Sequence, residues 1–364
     1  MDKTNALKNP VLNDETYFSK VVALADYVTS TWNPKMKWTW GEGLLGYALT
    51  LLDDYLKTDR YQKFLCDYCD YYVAHPPTVD CSDTSTPGLI TYRMGKITGN
   101  PGYIALTERV LHFIKAEPRV LEDSINHLGN SREGKFYPKS VWVDSLMMFS
   151  VFPSLYASEN NDAEMMTIAA RQPRVLAQYL MDPSAHLWYH SYWVKSHHPY
   201  PRRKLFWGRG NGWVIASLPM ILENIGEHEE KSKIIDILHQ TSEALLTYQR
   251  TDGAFDTILS KKRKSYRELS FTALVASGWL KAVRLGYLDD SYLEPALKAY
   301  QCVIDALQFE GQAIFMPEIS GPTIPLPIFP YLGYRLIPTS KNWSYGLAAL
   351  FMAGIEFDKL RLRK

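Results

Sequence analysis

Six times along this chain a short cluster of aromatic, acidic and small residues stands directly ahead of a stretch with apolar residues at helical spacing. The clusters are Trp40-Gly41-Glu42-Gly43, Asp83 to Pro87-Gly88, Trp142-Val143-Asp144-Ser145, Trp207 to Trp213, Arg267-Glu268-Leu269-Ser270 and Asn342 to Gly346. With Trp40, Asp83, Asp144, Trp207, Glu268 and Trp343 as markers, the gaps are about 43, 61, 63, 61 and 75 residues. About sixty residues accommodates two helices of ordinary length and two connections. The recurrence therefore predicts six helical hairpins, or twelve helices. Closed on itself, such a chain is an all-α (α/α)6 barrel with an inner and an outer helix layer. Every inner helix then starts on the same face, and the six clusters converge on one cleft. An open solenoid would show a shorter, more regular repeat and a stronger consensus.

Local periodicity supports the helices one by one. Apolar residues recur at spacings of three and four over 15–33 and over 43–57, where Leu44, Leu45, Tyr47, Ala48, Leu51, Leu52 and Tyr55 share a face. Similar patterns cover 103–115, 142–157, 164–181, 211–226, 231–248, 268–285, 292–308 and 343–356. Strand-like alternation is scarce. Pro317, Pro322, Pro325, Pro327, Pro330 and Pro338 exclude a long helix over 310–340. That segment is expected to be an excursion over one rim, near a binding site. A length of 364 residues would ordinarily suggest about two domains, but the recurrence predicts one, spanning 1–364.

Composition narrows the function classes. Lys+Arg total 40 and Asp+Glu 39, a net charge of +1, with 46% hydrophobic and 13% aromatic residues. This excludes a disordered chain and the basic footprint of a nucleic-acid binder. The start, MDKTNALKNPV, lacks the apolar core of a secretory signal. No apolar run approaches the roughly 18–20 residues of a membrane span. Cys66 and Cys69 have CxxC spacing, but no second pair follows, and a structural zinc site needs about four ligands. Reduced thiols, no metal, no membrane partner and cytoplasmic residence are the expectation. The oligomeric state stays open.

The most specific segment is Trp207-Gly208-Arg209-Gly210-Asn211-Gly212-Trp213. Its glycines permit close approach of backbone to a ligand or a positive φ, and free N–H groups at the helix start favour an anion. Arg209 can bind a carboxylate with its planar fork, and Trp207 and Trp213 can stack on a sugar ring. A glycine-rich cap flanked by two core tryptophans is the plainer reading. Asp144 lies among Val141, Trp142, Val143, Leu146, Met147 and Met148. A carboxyl there is costly unless paired or protonated, and burial raises its pKa toward that of a general acid; a helix N-cap is the alternative. Asp83, three residues after Asp80, faces the same cleft if it opens an inner helix, and two neighbouring carboxyls push their pKa values apart. His190, in His186-Leu187-Trp188-Tyr189-His190, can donate to a sugar hydroxyl, or is a satisfied surface histidine. His197 and His198 read as loop surface. Gln249 to Phe255 repeats the theme of an Asp turn followed by an aromatic.

These elements together resemble the unsaturated glucuronyl and rhamnogalacturonyl hydrolases, glycoside hydrolase families 88 and 105, and 105 most closely. The match is carried by Asp83 before Pro87-Gly88, Tyr137-Pro138 ahead of Trp142-Val143-Asp144, then His190, the 207–213 segment, Gln249 with Asp252-Gly253, and Glu268 with Ser270. It runs from about residue 40 to 350. The resemblance implies an (α/α)6 barrel acting without metal or organic cofactor on lyase-generated oligosaccharides that end in a 4,5-unsaturated uronic acid. It implies Asp144 as general acid and then base, with Asp83 assisting. It also implies a substrate oriented by Arg209 and His190 and stacked by Trp207 and Trp213, with Trp40 and Trp142 as further binding residues. Members often carry a His shortly upstream of the Tyr-Pro pair; this chain has Glu133-Gly134-Lys135-Phe136, and whether Glu133 or His127 takes that place is open. Other readings are a conventional two-carboxylate glycosidase, a sugar 2-epimerase and a non-catalytic scaffold. An epimerase would want paired histidines in the clusters, and none of the six contains one.

Overall fold

The computed structural model describes residues 10–260 and 265–363. Twelve long helices among them form two concentric layers. The inner layer consists of α2 (Trp40–Leu56), α4 (Gly88–Thr98), α6 (Phe152–Asn160), α8 (Gly208–Ile225), α10 (Leu269–Leu285) and α12 (Ser344–Arg361). Each packs on the next, and α12 returns to α2, so the ring closes. The outer layer is α1 (Thr16–Thr31), α3 (Gln62–Ala74), α5 (Pro101–Ala116), α7 (Ala163–Leu180), α9 (Lys231–Leu246) and α11 (Leu293–Asp305). The chain is thus an (α/α)6 barrel, as the recurrence predicts.

The two layers differ in sequence because they differ in surroundings. An outer helix buries one stripe: α11 buries Leu293, Ala296, Leu297, Tyr300, Val303 and Ile304 and leaves its other face to water. An inner helix touches neighbours on all sides, so nearly every residue of α8 and α12 is buried. Close packing of the inner ring also accounts for the glycines of the 207–213 segment. Gly208, Gly210 and Gly212 lie within α8 and none has a positive φ. A Cβ at Gly208 or Gly212 would sit 2.6–2.7 Å from the Phe271 ring on α10. The expectation of a positive φ is therefore corrected: Gly208 and Gly212 let two helices approach, and a Cβ at Gly210 would meet Val143 and the Trp207 ring.

Periodicity alone missed α3 and α4. In α3 the apolar stripe is diluted by Asp67, Asp70 and three tyrosines, and α4 is rich in β-branched residues and glycine. The expected helix over 142–157 begins differently. Residues Met147–Val151 form a π turn, and α-helical geometry starts at Phe152, next to Pro153. The Pro-rich segment forms a hairpin, Gln308–Glu310 with Ala313–Phe315, then a strap between the paired strands Ile319–Ser320 and Thr339–Ser340, with a short helix at Pro330–Arg335. The strap is tied down by Tyr137 Oη and Tyr200 Oη, which donate to the carbonyls of Pro325 (2.7 Å) and Leu326 (2.5 Å).

At the far end of the barrel, Lys281 and Arg284 of α10 reach Glu223 of α8 and the buried Glu356 of α12. Cations close to helix C-termini also meet the negative end of the helix dipole.

The inner ring leaves no room at Gly278 of α10, where a Cβ would stand 2.1 Å from the carbonyl oxygen of Ile215. Gly278→Ala is expected to destabilise the fold by about 1–3 kcal/mol through overpacking, measured as a lower urea midpoint at an unchanged slope; an unchanged midpoint would mean that this helix contact is not tight.

Candidate active site

A cavity of about 530 Å³ opens where the inner helices start. Trp40, Asp83, Trp142, Asp144, Trp207 and Arg209 all line it, so the structure brings together six of the eight residues singled out from sequence. The strap contributes Pro322, Thr323 and Ile324, and the 126–140 segment contributes His127, Glu133 and Phe136. Phe136 is 87% exposed and Ile324 51%, so the mouth of the cavity is apolar.

Asp83 lies in the helical turn Ser82–Ser85, just ahead of α4. The capping work in this turn falls to Thr84, whose Oγ1 accepts from the backbone N–H groups of Asp80 (2.9 Å) and Cys81 (3.1 Å). The Asp83 carboxyl is left facing the cavity, where its Oδ1 accepts from Ser82 Oγ at 3.3 Å. Burial pushes its pKa up to about 6, with the Ser82 hydroxyl opposing and Glu133 and Asp80 adding to the rise. Asp144 follows the strand Ser140–Trp142, which pairs with Ser191–Trp193. Its Oδ2 is buried without a hydrogen-bond partner. Burial pushes this carboxyl up to about 7; Arg209 opposes the rise, Asp83 adds to it, and the Trp213 indole N–H opposes it without closing to a hydrogen bond. Two carboxyls of unequal pKa thus share one cavity, the condition under which one holds a proton while the other is ionised.

Trp213 and His190 stand behind the wall. Trp213 is fully buried and meets Trp40 edge-on at 5.9 Å, which leaves it no face for a sugar; its position inside α8 turns the ring into the barrel core. His190 is 1% exposed, stacked on Trp207 at 4.2 Å, with Nδ1 3.0 Å from Tyr334 Oη and Nε2 3.6 Å from Asp144 Oδ2. Burial drives its pKa well below the usual histidine value, so the ring is neutral. When Tyr334 donates to Nδ1, the hydrogen on Nε2 points at Asp144. His190 is therefore not a surface histidine, and its reach is to the carboxyl rather than to solvent.

Arg209 is also bound differently from the expectation of a free fork. Its two terminal nitrogens donate to the carbonyls of Ser320 (2.7 Å) and Gly321 (2.8 Å), and Thr323 Oγ1 is 3.2 Å away. Its guanidinium lies between the rings of Trp207 (4.9 Å) and Tyr345 (4.8 Å), and Glu268 Oε1 is 3.7 Å off. Arg209 Nε has no partner. Glu268 is fully buried and caps α10, accepting from Phe271 N–H and Ser270 Oγ, while its Oε1 also accepts from the Ser320 N–H at 2.9 Å.

Sequence reasoning missed Tyr334; it left His127 and Glu133 as alternatives, and both line the cavity, and it expected the 310–340 segment near a binding site without singling out Thr323 or Ile324. Tyr345 lay inside the sixth cluster and was legible there. His127 lines the cavity although none of the six clusters contains a histidine. Both ring nitrogens of His127 are taken by Ser82 Oγ and Ser145 Oγ, 3.0 Å each, which leaves neither free as a base toward a sugar. Among the described residues no three His, Cys, Asp or Glu gather as they would to hold a metal ion, and no helix is long and apolar enough to cross a membrane.

Comparison with known proteins matches the model of Glycosyl Hydrolase Family 88 to residues 16–361. The unsaturated rhamnogalacturonyl hydrolase YesR of Bacillus subtilis is 27% identical over 352 residues, covering 94% of this chain and 97% of that protein. A glycoside hydrolase of family 105 from C. acetobutylicum has the same fold, with a TM-score of 0.84 at 23% identity over 93% of this chain and 99% of the other. The unsaturated glucuronyl hydrolase of Bacillus sp. GL1 follows at a TM-score of 0.73 and 14% identity, over 95% and 97%.

Glu268 joins a helix cap, the strap and the Arg209 charge, so its loss leaves that charge unpaired. Glu268→Ala is expected to cost about 3–5 kcal/mol, and Glu268→Gln less because the amide oxygen still caps. Equal losses in urea unfolding of the two variants would show that the carboxylate charge is not what matters.

Proposed function

Since the chain belongs to Glycosyl Hydrolase Family 88, we propose that it removes a terminal 4,5-unsaturated uronic acid from lyase-generated oligosaccharides by hydrating the enol ether. The observation that carries this reading is the pair of carboxyls, Asp83 and Asp144, raised to about 6 and about 7 in one cavity at the inner helix starts. Protonated Asp144 delivers its proton to C4 of the unsaturated ring, and water adds at C5, giving up a proton to the resulting carboxylate. The C5 hemiketal opens, C1 is left as a hemiacetal, and the aglycone leaves as an alcohol. Ionised Asp83 assists by polarising the site. The His190 ring orients Asp144, and Arg209 supplies positive charge beside the uronate. Trp40, Trp142 and Trp207 present ring surface, and the apolar mouth suits the less polar face of the next sugar. The likeness to YesR favours a rhamnogalacturonan-derived substrate. The free thiols Cys66, Cys69, Cys81 and Cys302 fit a reducing, cytoplasmic setting.

The decisive screen offers oligosaccharides made by lyases from pectin, rhamnogalacturonan and glycosaminoglycans, and follows the near-UV absorbance of the conjugated double bond. Loss of absorbance with release of the aglycone is expected. Cleavage of saturated oligosaccharides but not of unsaturated ones would instead indicate a conventional two-carboxylate glycosidase.

For the free enzyme, the acid must be protonated and its partner ionised. kcat/KM is therefore expected to fall as pH rises through about 7, where Asp144 loses its proton, and to fall again below about 6, where Asp83 gains one. Asp144→Asn is expected to fold, by circular dichroism, and to lose about 10²–10⁴-fold in turnover. A variant as active as wild type would remove Asp144 from the chemistry.

A further inference from the structure

His127 sits between the two carboxylate-bearing segments. Its Nε2 is 3.0 Å from the hydroxyl of Ser82, the residue before Asp83, and its Nδ1 is 3.0 Å from that of Ser145, the residue after Asp144. The ring is 3% exposed and lies flat on Trp142, with centroids 4.3 Å apart and 10° between planes. The backbone is fixed as well: the Ser82 N–H donates to the His127 carbonyl at 3.0 Å, and the His127 N–H to that of Ser140 at 2.9 Å. The site thus contains a continuous chain from Ser145 through the imidazole and Ser82 to Asp83.

We propose that His127 is a positioning residue that locks the two carboxylate-bearing segments into one hydrogen-bonded unit, with its tautomer following the charge of Asp83. The proposal rests on the reading of Asp83 as part of the site. A neutral imidazole offers one donor and one acceptor, and burial holds the His127 pKa down to about 3, so the ring is neutral over the working range. With Asp83 ionised, the Ser82 hydroxyl donates to the carboxylate, Nε2–H donates to Ser82, and Ser145 donates to Nδ1. With Asp83 protonated, its O–H donates to Ser82, Ser82 donates to Nε2, and Nδ1–H donates to Ser145. Each hydrogen has moved one place toward Asp83, and the one proton taken up replaces that of Ser145, so the chain gains one proton and the ring none.

The other groups around Asp83 do not perform this task. Asp80 and Cys81 on its own segment and Glu133 from the 126–140 segment are acidic or neutral, as is Asp144 across the cavity. Arg132 and Arg209 line the cavity without hydrogen-bonding to Asp83. Ser82 is the hydrogen-bond donor that favours the ionised form, and His127 supplies the donor that frees the Ser82 hydrogen for it.

The test is an NMR titration of the full-length protein from pH 4.5 to 8, with ¹⁵N-labelled histidine and ¹³C-carboxyl-labelled aspartate. The His127 hydrogen is expected on Nδ1 at low pH and on Nε2 at high pH, with the midpoint of Asp83 and without a cationic form. Ser82→Ala keeps the histidine and is expected to raise the Asp83 midpoint by about one pH unit, to abolish the tautomer change, and to move the acidic limb of kcat/KM by the same amount. A tautomer that stays constant across the range, or an Asp83 midpoint unmoved by Ser82→Ala, overturns the proposal. These readouts need no turnover: a wild-type protein inactive on every unsaturated oligosaccharide sinks the functional reading, while the titration still decides the bridge.

Discussion

One buried guanidinium sets the spacing of the cavity walls. Arg209 belongs to α8, the rings on either side of it belong to the start of α8 and to α12, its acidic neighbour Glu268 opens α10, and its hydrogen bonds reach the strap. A charge taken out of water is costly. Here the cost is offset by two carbonyl acceptors, two aromatic faces and one carboxylate. A lysine has neither the planar fork for two carbonyls nor the flat face for two rings. Three of the six inner helices and the strap meet at this side chain, so the geometry of the cavity depends on it.

The same charge connects architecture to acid–base chemistry. Asp144 is buried deeply enough to be pushed up to about 7, and Arg209 is the largest influence working against that rise. Without burial the carboxyl would already be ionised near neutrality and have no proton to deliver, and without the arginine its ionised form would be less stable. His190, neutral and 3.6 Å from Asp144 Oδ2, adds a dipole rather than a second charge. Net charge is almost silent on such a site. On the proposed function a single well-placed cation would serve a single uronate, so a net charge of +1 is compatible with an acidic sugar.

Residues that reach the cavity come from two kinds of element with different constraints. Those at inner helix starts are held by a close-packed ring in which glycines such as Gly208 and Gly212 stand within van der Waals range of the neighbouring helix. Those on the strap and the 126–140 segment are held by a few directed bonds, such as Tyr137 to Pro325 and Tyr200 to Leu326. The carboxyls sit on the first kind and the exposed Phe136 and Ile324 on the second. On the proposed function, the demand of the reaction falls on the close-packed ring, and the choice of neighbouring sugar falls on the rim.

The recurrence at about sixty residues pointed to the barrel, because that length suits a hairpin of two helices and each inner helix must present its start to the same face. It also placed Asp83, Asp144, Trp207, Arg209 and Glu268 at that face, since each lies in a cluster at or shortly ahead of the start of an inner helix. What the recurrence could not determine is which way a side chain turns once it is there. Trp213 lies in the most specific segment of the chain, yet the packing of α8 against the core takes its ring out of the cavity. Arg209 was legible as a cation at the site, but its acceptors lie more than a hundred residues away, at Ser320 and Gly321. The proline pattern put the 310–340 segment over a rim and the resemblance left His127 open against Glu133, but the bonds these segments and Tyr334 make were decided only when the ring closed. Periodicity reports what a segment buries against its own hairpin; contacts between distant connections depend on the closed barrel bringing their ends together.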